Sequence, residues 1–151
     1  MSAGKFRSAL TALAGLTVTG ITHNYDVDSL PERLGRAALP VLIIAPVLDD
    51  TRRRKYGEFQ VATPSGSSAL VQYLVTHLLL YAPVGSGKGA RSATPGLVDL
   101  IDSYALAIRA NPKLGNTLYV PTVYSVYVAP VNYGGILYYG CRFWHSMTIE
   151  T

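Results

Sequence analysis

From Ile136 to Ile149 the residues alternate with a period of two, and this stretch constrains the fold more than any other. Leu137, Tyr139, Cys141, Phe143, Met147 and Ile149 fall on one side; Tyr138, Arg142, Trp144, Ser146 and Thr148 fall on the other. Such alternation predicts a strand with one face in a core and one turned outward. A second β-rich run, Leu118–Ala129, precedes it, and the two flank the turn-rich connector Pro130-Val-Asn-Tyr-Gly-Gly135. Together they predict an antiparallel hairpin at the C-terminal end.

Upstream, Phe6, Ala9, Leu10 and Leu13 recur at helical spacing within Ala3–Ala14, and Gly15 supplies a stop. Val18–Thr22 reads as a short strand, and Asn24–Leu39, with Pro31 and Gly35, as a connection holding one helical turn. Val41–Val47 is a β-branched run that fits a strand buried on both faces. Residues 48–68 predict a long loop or a projecting hairpin. In Ala69–Tyr81 the helical and strand patterns conflict; recurring β-branched and aromatic residues favour a long strand.

Residues 83–94 are rich in Gly and Ser and predict a flexible loop. A helix is then expected from Thr94, with Thr94 as cap, Pro95 in the first turn and Asp99 near the positive end of the dipole. Its apolar stripe is Leu97, Leu100, Ile101, Tyr104, Ala105 and Ile108, and Asn111-Pro112 ends it. Several strands with two good helices point to α+β, and 151 residues suit one domain, 1–151.

Composition narrows the classes of function. Half of the residues are hydrophobic and few are charged, which excludes a disordered chain and leaves little charge for a solitary soluble subunit. Eleven tyrosines against three phenylalanines suit strands with one wet face, and also protein contacts. The single cysteine, Cys141, has no disulfide partner in the chain and falls in the alternating strand as a small buried group. No Cys/His cluster suggests zinc, no segment reads as a signal peptide, and Leu78–Val84 is too short to span a bilayer, so a soluble protein made in the cytoplasm is expected.

Chemistry-bearing motifs are weak. Gly85-Ser-Gly-Lys-Gly89 lacks the phosphate-loop pattern, with Ala82 where a glycine is needed and Gly89 where a magnesium-binding hydroxyl would stand. His23, His77 and His145 are far apart in sequence, lie in or beside expected strands and read as structural histidines, and no nucleophile elbow accompanies them. Neither Asp49-Asp50 nor Asp99/Asp102 forms a convincing acid–base pair. No catalytic residue, cofactor site or metal site is expected. Arg52, Arg53, Arg54 and Lys55 make a basic run, either a solvated loop or a contact for nucleic acid or an acidic partner.

From about Gln72 onward the chain resembles the tail-terminator (tail-completion) proteins of long-tailed bacteriophages. The resemblance lies in the helix Leu97-Val-Asp-Leu-Ile-Asp-Ser-Tyr-Ala-Leu-Ala-Ile108, the exit Asn111-Pro-Lys-Leu-Gly115, and the closing segments Val131-Asn-Tyr-Gly-Gly135 and Tyr139-Gly-Cys-Arg-Phe143. It implies a mixed, mostly antiparallel sheet with two helices packed on it. It also implies a homohexameric ring in the tail or neck of the virion, assembled in the host cytoplasm. That ring would cap the tail tube, end tail growth and meet the head-completion or connector protein. Arg52, Arg53, Arg54, Lys55, Tyr56, Tyr138, Arg142 and Trp144 are then the expected contacts with neighbours, tube or passing DNA, with no membrane partner. A connector or tube subunit, and a nucleic-acid-binding module built on residues 52–55, are the competing expectations.

Overall fold

Two fifteen-residue strands, β4 (Ala69–Pro83) and β7 (Ile136–Glu150), pair antiparallel along nearly their whole length and form the spine of the molecule. At ~3.3 Å per residue each runs roughly 50 Å. The structure, a computed structural model, describes residues 5–45, 59–62, 69–85 and 89–150, with the backbone alone for 59–62 and 69. The other elements are α1 (Lys5–Ala14), β1 (His23–Tyr25), a 3-10 turn (Arg36–Ala38), β2 (Val41–Ala45), β3 (Phe59–Ala62), α2 (Ala90–Ala110), β5 (Val123–Val128) and β6 (Val131–Tyr133).

The strands form one seven-stranded sheet in the order β1-β2-β4-β7-β5. β2 and β3 lie in tandem along β4, and β5 and β6 lie in tandem along β7. Among the described strands only β1–β2 is a parallel pair, so the sheet is mixed and mostly antiparallel within a single α+β domain, as expected. The ambiguous segment 69–81 is strand. Its odd-numbered residues Val75, His77 and Leu79 enter the core, a period of two that overrides the competing helical pattern. Residues 59–62 pair with 69–72, so the segment 48–68 includes one arm of a hairpin.

Both helices lie on one face of the sheet. Ala9, Leu10 and Leu13 of α1 and Leu97, Leu100, Tyr104 and Ile108 of α2 close over Leu42, Ile44, Val75, Leu79, Phe143, Met147 and Ile149. The stripe read from sequence is the one buried, but α2 begins five residues earlier than expected. Gly89 is its N-cap, Pro95 lies inside it, and the Thr94 hydroxyl donates back to the Ala90 carbonyl rather than capping. Pro95, the sixth residue of the helix, forgoes one backbone N–H bond, and the helix starts after Gly89, which is extended. Asp99 accordingly sits in mid-helix, away from the dipole's positive end.

The opposite face is covered at one end only. There Val41, Ile43, Leu80, Val131 and Tyr138 form a second, smaller core under Tyr25, Leu34, Leu39 and Tyr133. The Tyr133 hydroxyl donates to the Pro31 carbonyl, tying the β6–β7 turn to the 25–39 connection. This cover reverses the sequence reading at the start of β7: Tyr138, expected outward, is 1 % exposed, and Leu137, expected inward, is 43 % exposed. The alternation is intact; the material above and below the strand changes sides.

Two further expectations are corrected. Val18–Thr22 is a turn, and the short strand falls at His23–Tyr25, where parallel pairing with Val41–Ile43 is available. Leu118–Thr122 is not strand either: the turn after α2, with Leu114, Gly115 and Asn116 at positive φ, and Pro121 delay β5 to Val123. Ala129-Pro130 then separates β5 from β6 without shifting register, since Val128 faces Cys141 and Val131 faces Tyr138. Proline has no N–H for the ladder, so the pairing pauses there.

Gly140 sits beside the bulge at Leu80/Ala82, and a Cβ there would lie inside the van der Waals envelope of the Leu79 carbonyl. Gly140→Ala is expected to cost about 3 kcal/mol by forcing the two central strands apart. Chemical denaturation would register it, and an unchanged midpoint would refute the close approach. Thr76 presents the opposite case. Its buried hydroxyl has no hydrogen-bond partner among the described residues, so Thr76→Val is expected to stabilise by about 1 kcal/mol in the same assay.

Candidate functional site

Two places concentrate chemistry: a hydrogen-bonded chain inside the main core, and the surface along β5 and the outward face of β7. The inner chain starts where α1 ends. Asn24 donates from Nδ2 to the Leu13 and Leu16 carbonyls (3.1 and 3.4 Å), which turns its Oδ1 toward His77 Nε2 at 3.0 Å. His77 Nε2 must then carry the proton, leaving Nδ1 to accept from the Tyr104 hydroxyl at 2.8 Å. The Tyr104 oxygen accepts from His145 Nε2 at 2.6 Å, and His145 Nδ1 accepts from the Thr122 hydroxyl at 2.9 Å.

Every donor in this chain meets an acceptor, and every tautomer is assigned by its neighbours. Tyr104 also stacks on Phe143, with centroids 3.6 Å apart. Burial holds His77 well below its ordinary pKa, with His145 adding to the effect, and pushes His145 down to about 3. Burial, with smaller contributions from Tyr124 and Cys141, raises Tyr104 well above 10. All three are therefore neutral at pH 7. His77, His145 and Tyr104 are at most 1 % exposed, so the chain binds elements to one another and offers no surface to a substrate. It joins α1, β1, β4, α2, β7 and the turn before β5. Sequence reasoning read all three histidines as structural, of which His23 stands exposed on β1, and did not bring His77 and His145 together. The alternation put both on the inner face; only the register, with His77 opposite Phe143, sets Tyr104 between them.

On the outer surface, Arg142 and Trp144 do come together on the helix-free face, as the alternation predicted. Trp144 stacks on Tyr127 of β5 at 5.4 Å with the rings 6° from parallel, and the Arg142 guanidinium lies 6.0 Å from the Tyr127 centroid. Tyr127 was missed as a site residue. Its membership follows from the direct pairing Tyr127↔Arg142, which the turn at Gly134-Gly135 sets. Tyr138, an expected contact, belongs instead to the small core. Arg52, Arg53, Arg54, Lys55 and Tyr56 lie outside the described residues.

The surface beside this platform is apolar. No charged residue stands between Lys113 and Arg142. Within that span Tyr119, Val120, Val123, Val126, Tyr127, Val128, Ile136 and Leu137 are all exposed, Val123 by 68 % and Val128 by 59 %.

Elsewhere, a cleft of about 380 Å³ beside the start of α2 is lined by Arg36, Pro40, Tyr81, Ser92 and Tyr139 among others. Gly85 and Gly89 bracket the strand-to-helix connection, and residues 86–88 between them lie outside the described residues. Among the described residues no group of three or more His, Cys, Asp or Glu is placed to hold a metal ion, and no helix is long and apolar enough to cross a membrane. Comparison with protein families, with curated proteins and with solved structures finds no match to this chain.

Proposed function

We propose that the chain is a structural subunit of a phage particle, assembling as a ring that caps the completed tail tube and offers the surface to which the head joins. One observation carries the reading: the uncharged span from Leu114 to Cys141 puts an apolar strand, β5, on the open edge of the sheet. A free monomer normally guards such an edge with lysine, proline or a covering loop, because an open ladder invites another chain. Among the described residues nothing pairs with its outer side, which suits a subunit that works within an assembly. The Tyr127–Trp144–Arg142 platform beside it combines the residue types enriched at protein interfaces. The resemblance of the closing hairpin to tail-terminator proteins supplies the particular assembly. In this reading the chain performs no catalysis, and the inner hydrogen-bonded chain keeps the subunit rigid while its surfaces are engaged.

Negative-stain imaging and light scattering of the protein, alone and with the tail-tube protein, test the proposal. The expected result is six-fold rings on tube ends that arrest tube growth. Long homopolymeric tubes would reassign the chain as a tube subunit, and failure to cap or bind tubes would remove the reading. Arg142→Glu is expected to raise the concentration needed for assembly at least ~10-fold while thermal unfolding stays unchanged, since a half-buried interface charge is reversed.

A further inference from the structure

We propose that two copies of the free chain join through β5, their strands pairing antiparallel about a two-fold axis centred on Ser125, so that the sheet continues from one subunit into the other. β5 ends the strand order and pairs with β7 alone among the described strands. Five of its six residues are exposed, with only Tyr124 partly covered. It contains no charge, proline or bulge. One complete row of backbone donors and acceptors therefore faces outward, and nothing in the strand opposes a partner strand.

The side chains choose a second copy as that partner. A two-fold axis normal to the sheet keeps each face on its own side, so every residue meets a residue from the same face of the other strand. Tyr124, Val126 and Val128 share the helix face with His145, Phe143 and Cys141, and Val123, Ser125 and Tyr127 share the opposite face with Ser146, Trp144 and Arg142. With the axis at Ser125, Tyr124 stands opposite Val126 of the second copy, Val123 opposite Tyr127, and Ser125 opposite itself. Both tyrosines thus meet valines, and the two serine hydroxyls meet each other, which are favourable cross-strand combinations. No like charges are brought together.

The area is also sufficient. The eight exposed apolar residues along this edge and the β6–β7 turn, taken over both faces of the sheet, present roughly 700 Å². That approaches the ~800 Å² each partner buries in a standard interface. The pairing goes beyond the ring reading and does not depend on it. A head-to-tail ring closes through two different patches, whereas this contact joins one patch to itself.

Ser125→Cys provides the test, because only a two-fold at this position sets a residue against its own copy at disulfide distance. Cys141, the only native cysteine, is buried with its thiol pushed up to about 12, so it does not compete. Under mild oxidation S125C is expected to convert to a covalent dimer at least ~10-fold faster than V128C, whose position faces the end of the partner strand. Light scattering of the unmodified protein should give twice the chain mass. V123K/V128K, altering the two most exposed positions of the strand, should return it to the chain mass with an unchanged melting curve. Equal crosslinking at both positions, or none, overturns the pairing, as does the chain mass at tens of micromolar. A six-fold mass without the S125C crosslink overturns the pairing and leaves the ring standing; a crosslinked pair that fails to cap tubes does the reverse.

Discussion

Between pH 6.5 and about 3 the protein is expected to lose stability steeply, with His145 alone removing about 5 kcal/mol across the window and about 3 kcal/mol by pH 4. In the unfolded chain His145 titrates near 6.5; in the fold, burial holds its pKa at about 3. Throughout that interval the unfolded state binds the extra proton and the folded state does not, so stability rises with pH and is fully present above 6.5. His77, also held well below its ordinary value, adds to the loss in the same direction. The geometry gives the reason independently. Protonating either ring adds a donor to a chain in which each nitrogen already has an assigned role, with Thr122 donating to His145 Nδ1 and Tyr104 to His77 Nδ1. Urea unfolding at intervals of half a pH unit measures the effect, and the midpoint should fall continuously from pH 6.5 to 4. A midpoint constant over that range would show that the two rings are not held neutral.

Tyr104→Phe is expected to cost about 4 kcal/mol, although it removes a single oxygen and keeps the ring that stacks on Phe143. That oxygen serves both histidines, donating to His77 Nδ1 and accepting from His145 Nε2. Without it, one buried acceptor and one buried donor are orphaned in a space closed to water, each costing about 1–3 kcal/mol. A loss below about 1 kcal/mol would mean that the chain relaxes around the gap or admits a water. The coupling is separable from packing: Tyr124→Phe, at a half-buried ring beside the same cluster, should cost far less.

Both effects concern residues whose importance the sequence concealed. His77 and His145 are 68 positions apart, and Tyr104 lies in a helix where it passes for one more member of an apolar stripe. Local reading assigned Tyr104 to a buried stripe and took the histidines as structural, because burial depends on periodicity along a single element. Whether three buried polar groups satisfy one another depends on how far β4 slides against β7 and where α2 crosses them, which no local pattern contains. Tyr138 shows the same limit from the other direction. Its parity was read correctly, yet its environment was set by the 25–39 connection folding across the sheet.

The sequence by itself determined the α+β class, the buried stripe of α2, and the outward placing of Arg142 and Trp144, because those follow from two- and 3.6-residue periods that each segment carries alone, whereas the conflicting periods of 69–81 favoured a strand without deciding it. Tertiary structure decided the early start of α2, the shortened β5, the second small core around Tyr138, the platform completed by Tyr127, and the hydrogen-bonded core. These depend on register and on which element covers which face, and both arise only when distant segments compete for the same buried surface.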